Sequence, residues 1–327
     1  MYFKRAILLL IVLVLAALPF SGCGGAGGNS TNQDKAVVRL GALKGPSSLG
    51  LLQILNKNDR NESLNIYEVT VEGAPSDIQA RLLNGELDIA ALPSNLASVL
   101  YNRTEKNIRV IAVSTLGVLY LLSTDDTVTS FEDIEGRTVY ATGQGSTPEY
   151  VLDYLLRQNG LEDKVDVQYK GEHAELAALM ASGGADTAML PQPFVTTVML
   201  RDDSIRIVAD LNDEWREAAG AELAMTCIVV RNRFLEENRD DVHKFLREYE
   251  ESASFVNTNV EKAAVFSEKY DIIPEAVART AIPKCAIVFI DGGDMRPAIE
   301  PLLQVLYDAN PGSMGGALPD DTFYYKK

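Results

Sequence analysis

The sequence predicts an α/β fold of two similar doubly wound lobes joined by a two-segment hinge. Three observations lead there. Short apolar runs of strand character alternate with helical patterns, two series of such runs superpose at one constant offset, and only the N-terminus carries a long unbroken apolar run.

The N-terminus reads as an export signal. Lys4 and Arg5 precede an apolar run from Ala6 to Ala17, which ends in Leu18-Pro19-Phe20-Ser21-Gly22-Cys23. A spanning helix needs about 20 apolar residues, so this run suits a cleaved signal peptide over residues 1–22. Small residues directly before Cys23 resemble the bacterial lipobox, whose cysteine becomes the lipidated mature N-terminus. Phe20 departs from the leucine usual at its place. Residues 23–35 then have linker composition, which fits a lipidated tether.

Charge excludes some partners. The 30 bases and 46 acids give −16, and loss of Lys4 and Arg5 with the signal takes the mature chain to −18. Such a surface repels nucleic acid, so membrane attachment is expected through the lipid alone. A local anion site remains open, because distant charges are screened within about 10 Å. Cys227 and Cys285 are too few for a disulfide framework, and spacing does not pair them. His173 and His243 lie in helical-looking segments without a cysteine or histidine neighbour, which argues against a histidine metal site. Neither a metal nor a cofactor is expected.

The first strand series is Val37 to Ala42, Ile66 to Val71, Ile89 to Leu92 and Ile108 to Val113. The second is Thr138 to Ala141, Val165 to Tyr169, Thr187 to Leu190 and Ile205 to Ala209. Gly45 maps on Gly143, Ser48 on Ser146, Gly85 on Gly183, Asp88 on Asp186, Leu92 on Leu190 and Pro93 on Pro191, all 98 positions apart. A period far above the roughly 20–50 residues of solenoids means two lobes, not an array. Each lobe is expected to hold a mostly parallel sheet with helices on both faces.

Helix starts fall where strands end. Ser146-Thr147-Pro148-Glu149 has the pattern of a capping box, and Ser47 and Ser48 after Gly45-Pro46 have that of an equivalent cap. One more strand, Met225 to Arg231, and later helical patterns are expected to return to the first lobe. The lobes would then be residues 36–121 with 226–327, and residues 122–225. Hinge crossings are expected near Leu119 to Ser123 and near Thr226 to Val230.

Ligands of open parallel sheets sit beyond the carboxyl ends of the strands, where helix-start amides point outward. One wall would comprise Lys44, Gly45, Pro46, Ser47, Ser48, Pro93, Ser94, Asn95, Ser114 and Thr115. The other would comprise Thr142, Gly143, Gln144, Gly145, Ser146, Thr147, Gln192 and Pro193. Glycines and serines at such turns also serve chain reversal and capping. Gln192, between two prolines, offers both donors and acceptors at a strand end. Asp88 and Asp186, at equivalent places, read as pins of the turn before a strand. Trp215 is the only tryptophan, so a stacked sugar platform is poorly supported, although 13 tyrosines keep aromatic stacking available.

Lys44-Gly45-Pro46, the run Gly85 to Pro93, Phe131 to Thr138 and Gly143 to Pro148 together resemble periplasmic-binding proteins of type II topology. Within them the resemblance is to the nitrate, sulfonate, taurine and thiamine-pyrimidine-precursor group of ABC importers, over residues 36–327. It implies a monomeric, lipid-anchored component outside the bacterial cytoplasmic membrane. This component captures a small polar, anionic or heterocyclic solute and delivers it to a cognate ABC permease and ATPase. Proteins of this topology also include lyases, and a sensory surface module is a third reading. A lyase needs a positioned base, and neither histidine falls on an expected strand end.

Overall fold

The computed structural model describes residues 35–327. Expectations for residues 1–34, including lipidation of Cys23, lie outside the described residues. Eleven strands are present there: β1 Val37–Leu43, β2 Ile66–Glu72, β3 Ile89–Pro93, β4 Ile108–Thr115, β5 Leu119–Ser123, β6 Thr138–Thr142, β7 Asp166–Lys170, β8 Thr187–Pro191, β9 Arg206–Asp210, β10 Thr226–Arg231 and β11 Ile287–Ile290.

They form two sheets. The first has the order β11-β4-β10-β3-β1-β2 and the second β7-β6-β8-β5-β9. Apart from β11, which has no counterpart in the second sheet, the two orders match once β1, β2, β3 and β4 are laid on β6, β7, β8 and β9. In both, one antiparallel strand sits between the third and fourth members. It is β10 in the first sheet and β5 in the second.

Each antiparallel strand is the first one built after the chain changes sheets. The expected hinge segments are thus full ladder strands at the two crossings. The expected division at 121/122 runs through β5, all of whose residues pair inside the second sheet. The chain crosses just before Leu119 and again between β9 and β10.

Central strands explain themselves. β3 and β8 are buried at all five positions, as parallel-sheet strands covered on both faces must be, and their sequences IAALP and TAMLP lack a charge. Asp88 enters β3 as a pin. Its carboxylate accepts from Arg39 Nε at 2.9 Å, Arg39 Nη2 at 2.5 Å and the Arg39 backbone N–H at 3.0 Å. Asp186 departs from this equivalence. It is exposed and serves through its backbone carbonyl, which accepts from Thr124 N at 2.9 Å.

One of the C-terminal helices packs on both lobes. Met295–Ala309 buries Ile299, Leu302, Leu303 and Leu306, a spacing that makes one helical face. It packs on β4 and Ser94–Arg103 on one side, and on Thr147–Gln158 and Leu211–Ala219 on the other. Each of those four side chains gains about 1.5–3 kcal/mol from burial, so the helix ties the lobes where they adjoin. One hydrophobic cluster therefore runs from Leu92 and Val113 through Leu302 to Met189 and Trp215. Among the described residues no helix is long and apolar enough to cross a membrane.

Candidate functional site

The carboxyl ends of β1, β3, β4, β6 and β8 converge with the starts of β5 and β10. Between them lies a cavity of about 60 Å³. Leu43 and Lys44, Pro93, Thr115, Gly143, Pro191 and Gln192, Leu119 and Thr226 line it at those strand ends. Two larger grooves adjoin it. One, of about 410 Å³, shares Lys44 and Phe194, and the other, of about 350 Å³, shares Pro75 and Gly143.

The expected site residues divide by their hydrogen bonds. Lys44, Pro46, Ser47, Pro93, Thr115, Gly143, Ser146 and Gln192 line the cavity. Gln144 and Gly145 line the groove beside it, with Tyr169 and Lys170. The others serve the scaffold. Ser48 Oγ donates to Gly45 O at 3.0 Å and accepts from Gly45 N at 3.2 Å. Ser94 Oγ donates to Ala224 O at 2.6 Å, and Ser114 Oγ pairs with Thr226 Oγ1 at 2.9 Å. Asn95 and Thr147 bond to each other across the lobe boundary. Gly45, at φ 137°, faces Pro193 closely enough that an added Cβ would stand 3.7 Å from the proline Cδ.

The capping box does not form. Ser146 Oγ turns back to donate to Gly143 O at 2.5 Å, and Glu149 accepts from the backbone N–H of Gly145. Trp215 is buried against Tyr154, with ring centroids 5.1 Å apart, and takes no part in the cavity. Cys227 and Cys285 are both free and buried, and burial pushes each thiol up to about 12.

Two polar atoms in the cavity wall have no partner among the described residues: Gln192 Nε2 and Thr115 Oγ1. Both side chains are buried, Gln192 at 0% exposure and Thr115 at 1%. Gln192 is held by its other end, since Oε1 accepts from Thr196 Oγ1 at 2.8 Å and Thr196 N at 3.3 Å. Its amide N–H groups are therefore aimed and unspent, an arrangement that costs stability unless a ligand accepts from them. The Lys44 ammonium makes no ion pair or hydrogen bond among the described residues, and it is the one full charge in the lining.

His173 is a site residue that sequence reasoning missed. It opens the helix His173–Ala181, lines the cavity, and sits 2.5 Å by Nδ1 from Thr142 Oγ1. Burial without a neighbouring carboxylate pushes its pKa down to about 4, so the ring is neutral. Phe194 packs on it with ring centroids 5.3 Å apart. Val118, Leu119, Met225 and Thr226 were also missed. They arrive with the crossings, and their only signal was position just before an apolar run.

Paired doubly wound lobes whose strand ends enclose a cavity define a periplasmic-binding-protein fold of type II topology. Within that class the chain belongs to the NMT1/THI5-like family, whose model matches residues 60–263. A comparison with curated proteins finds no match. Among solved structures, an ABC transporter protein of Parabacteroides distasonis is similar at 24% identity and a TM-score of 0.75, covering 90% of this chain and 100% of that one. The periplasmic aliphatic sulphonate-binding protein of Escherichia coli is similar at 15% identity and a TM-score of 0.69, covering 89% and 92%. The periplasmic nitrate-binding protein of Synechocystis PCC 6803 is similar at 12% identity and a TM-score of 0.60, covering 75% and 69%. At these identities the likenesses speak for the fold.

Proposed function

We propose that the chain is the solute-binding component of an ABC importer, exported and held by a lipid on Cys23 at the outer face of the bacterial cytoplasmic membrane. It captures one small solute between its lobes and presents the closed form to a permease and its ATPase. The observation that carries this reading is that two residues lining one cavity at the meeting of two lobes, Gln192 and Thr115, each hold a buried, unpartnered polar group, Nε2 and Oγ1. The family, the fold and the importer proteins among its structural neighbours support the same role.

Capture needs no chemistry. Closure is a population shift driven by contacts that the solute makes with both lobes at once. Lys44, Ser47 and Thr115 contribute from the first lobe, and Ser146, Gln192 and His173 from the second. A proton-abstracting enzyme is disfavoured by the same wall: its lining holds no carboxylate, and a histidine that protonates near 4 is a weak base at neutral pH.

Thermal-shift screening of nitrate, sulfonates, pyrimidines and flavins tests the proposal. At a concentration 100-fold above its dissociation constant, the true solute stabilises the protein by about 2.7 kcal/mol. It is recovered unchanged after incubation. A solute that stabilises the protein and is converted would replace capture by catalysis.

A further inference from the structure

We infer that Thr142 holds His173 as the Nε2–H tautomer, and that this N–H is a specificity-determining donor that selects solutes bearing hydrogen-bond acceptors and rejects cations. The inference rests on the capture reading for its solute and on Thr142 for its geometry.

Thr142 is the last residue of β6 and is 1% exposed. Its hydroxyl has one hydrogen-bond partner among the described residues, His173 Nδ1 at 2.5 Å. A buried hydroxyl proton needs an acceptor, and here only the Nδ1 lone pair supplies one. A neutral imidazole that accepts at Nδ1 carries its proton on Nε2. In the opposite tautomer Nδ1–H would donate to the hydroxyl oxygen and leave the buried threonine proton without an acceptor among the described residues. The ring is neutral because burial alone acts on it, with Glu172 and Glu175 of its own helix exposed to solvent.

Nε2 makes no hydrogen bond to the described protein, while the residue lines the cavity. Phe194 packs against the ring, with the two planes tilted by 44°. His173 Nε2–H then joins Gln192 Nε2, the Thr115 hydroxyl and the Lys44 ammonium around one small space without a carboxylate. A solute edge rich in acceptors satisfies these groups. An ammonium or a donor-only edge would leave them unpaired and meet like charge at Lys44.

The tautomer is read directly by a long-range ¹H–¹⁵N correlation spectrum at neutral pH. The chain has two histidines, and His243→Gln assigns the signals. The expected spectrum shows His173 protonated at Nε2 and bare at Nδ1, and Thr142→Val, which removes the hydroxyl and keeps the shape, shifts that balance. An Nδ1–H form, an imidazolium, or a spectrum indifferent to Thr142→Val overturns the inference.

A second arm measures affinity for ethanesulfonate, nitrate and uracil by thermal shift. For whichever stabilises the unsubstituted protein, His173→Phe weakens binding about tenfold, and His173→Gln, which keeps an N–H, weakens it less. Equal losses in the two variants overturn the donor role. If none of the three stabilises the unsubstituted protein while the tautomer is as stated, capture of these solutes fails and the Thr142–His173 pairing stands.

Discussion

Thr147 Oγ1 donates to Asn95 Oδ1 at 3.0 Å and accepts from the Asn95 backbone N–H at 3.4 Å, joining a helix start in one lobe to a helix start in the other. Both residues are fully buried, and Asn95 Nδ2 also reaches Gly145 O at 3.3 Å and Ser313 O at 3.2 Å. These bonds join the two lobes directly and add to whatever contacts a solute makes with both. Asn95→Ala removes the three side-chain bonds, keeps the backbone N–H bond to Thr147, and leaves the former partners buried, a cost of about 1–3 kcal/mol to the joined lobes. The expected outcome is a larger radius of gyration in small-angle scattering for the solute-free variant, with solute affinity reduced roughly five- to a hundredfold. An unchanged radius and affinity would show that closure does not depend on this pair.

Gln192 separates binding from stability. Gln192→Leu discards the unspent amide together with the bond to Thr196, so the solute-free protein changes by about 1 kcal/mol in either direction. Solute-induced stabilisation disappears. Denaturant melts with and without solute check both halves, and a variant still stabilised as strongly as the original would remove Gln192 from the site.

Asp88 tests the scaffold. Its side chain is 4% exposed, bonded to Arg39, with Arg231 Nη1 at 4.0 Å. Asp88→Asn keeps the shape and deletes the charge, leaving two guanidinium groups short of a partner at the entry to β3. Asp88 is buried but the Arg39 side chain is 38% exposed, so solvent takes up part of the unpaired charge and the loss is about 1–3 kcal/mol. Equilibrium urea unfolding reads the loss, and a change below about 1 kcal/mol would place the pair among the inert surface bridges.

Acid sensitivity should trace to His173. In the unfolded chain a histidine takes a proton near pH 6.5, whereas in the folded protein His173 resists until about 4. The unfolded state thus binds more protons between those values, and stability falls as pH drops from 6.5 toward 4. His173→Gln removes that part of the slope. Unfolding curves at pH 7, 5.5 and 4.5 measure it, and identical slopes for the two proteins would contradict the neutral, half-buried ring.

The repeat was legible because βα alternation leaves a mark on every strand end: Leu92-Pro93 and Leu190-Pro191 close β3 and β8, and the two prolines line the cavity from opposite lobes. The direction of β5 and β10 was not. An apolar run of five residues suits a parallel or an antiparallel ladder equally, and only the preceding crossing decides which. Asn95 and Thr147 looked like ligand-binding helix starts, and their polar groups are spent on each other because the lobes bring them together. His173 was hidden for the converse reason. It begins a helix, the one after β7, yet tertiary packing swings it against Thr142 at the end of β6. The Met295–Ala309 helix showed its apolar face in sequence, but a face does not say that it covers two lobes.

Capture of one unaltered solute between the lobes is measured most directly by native mass spectrometry of the purified protein. The account predicts one small molecule per chain, rich in hydrogen-bond acceptors and without a net positive charge, released on denaturation with its mass unchanged by incubation. A bound cation, or a molecule whose mass shifts while it is held, would contradict it.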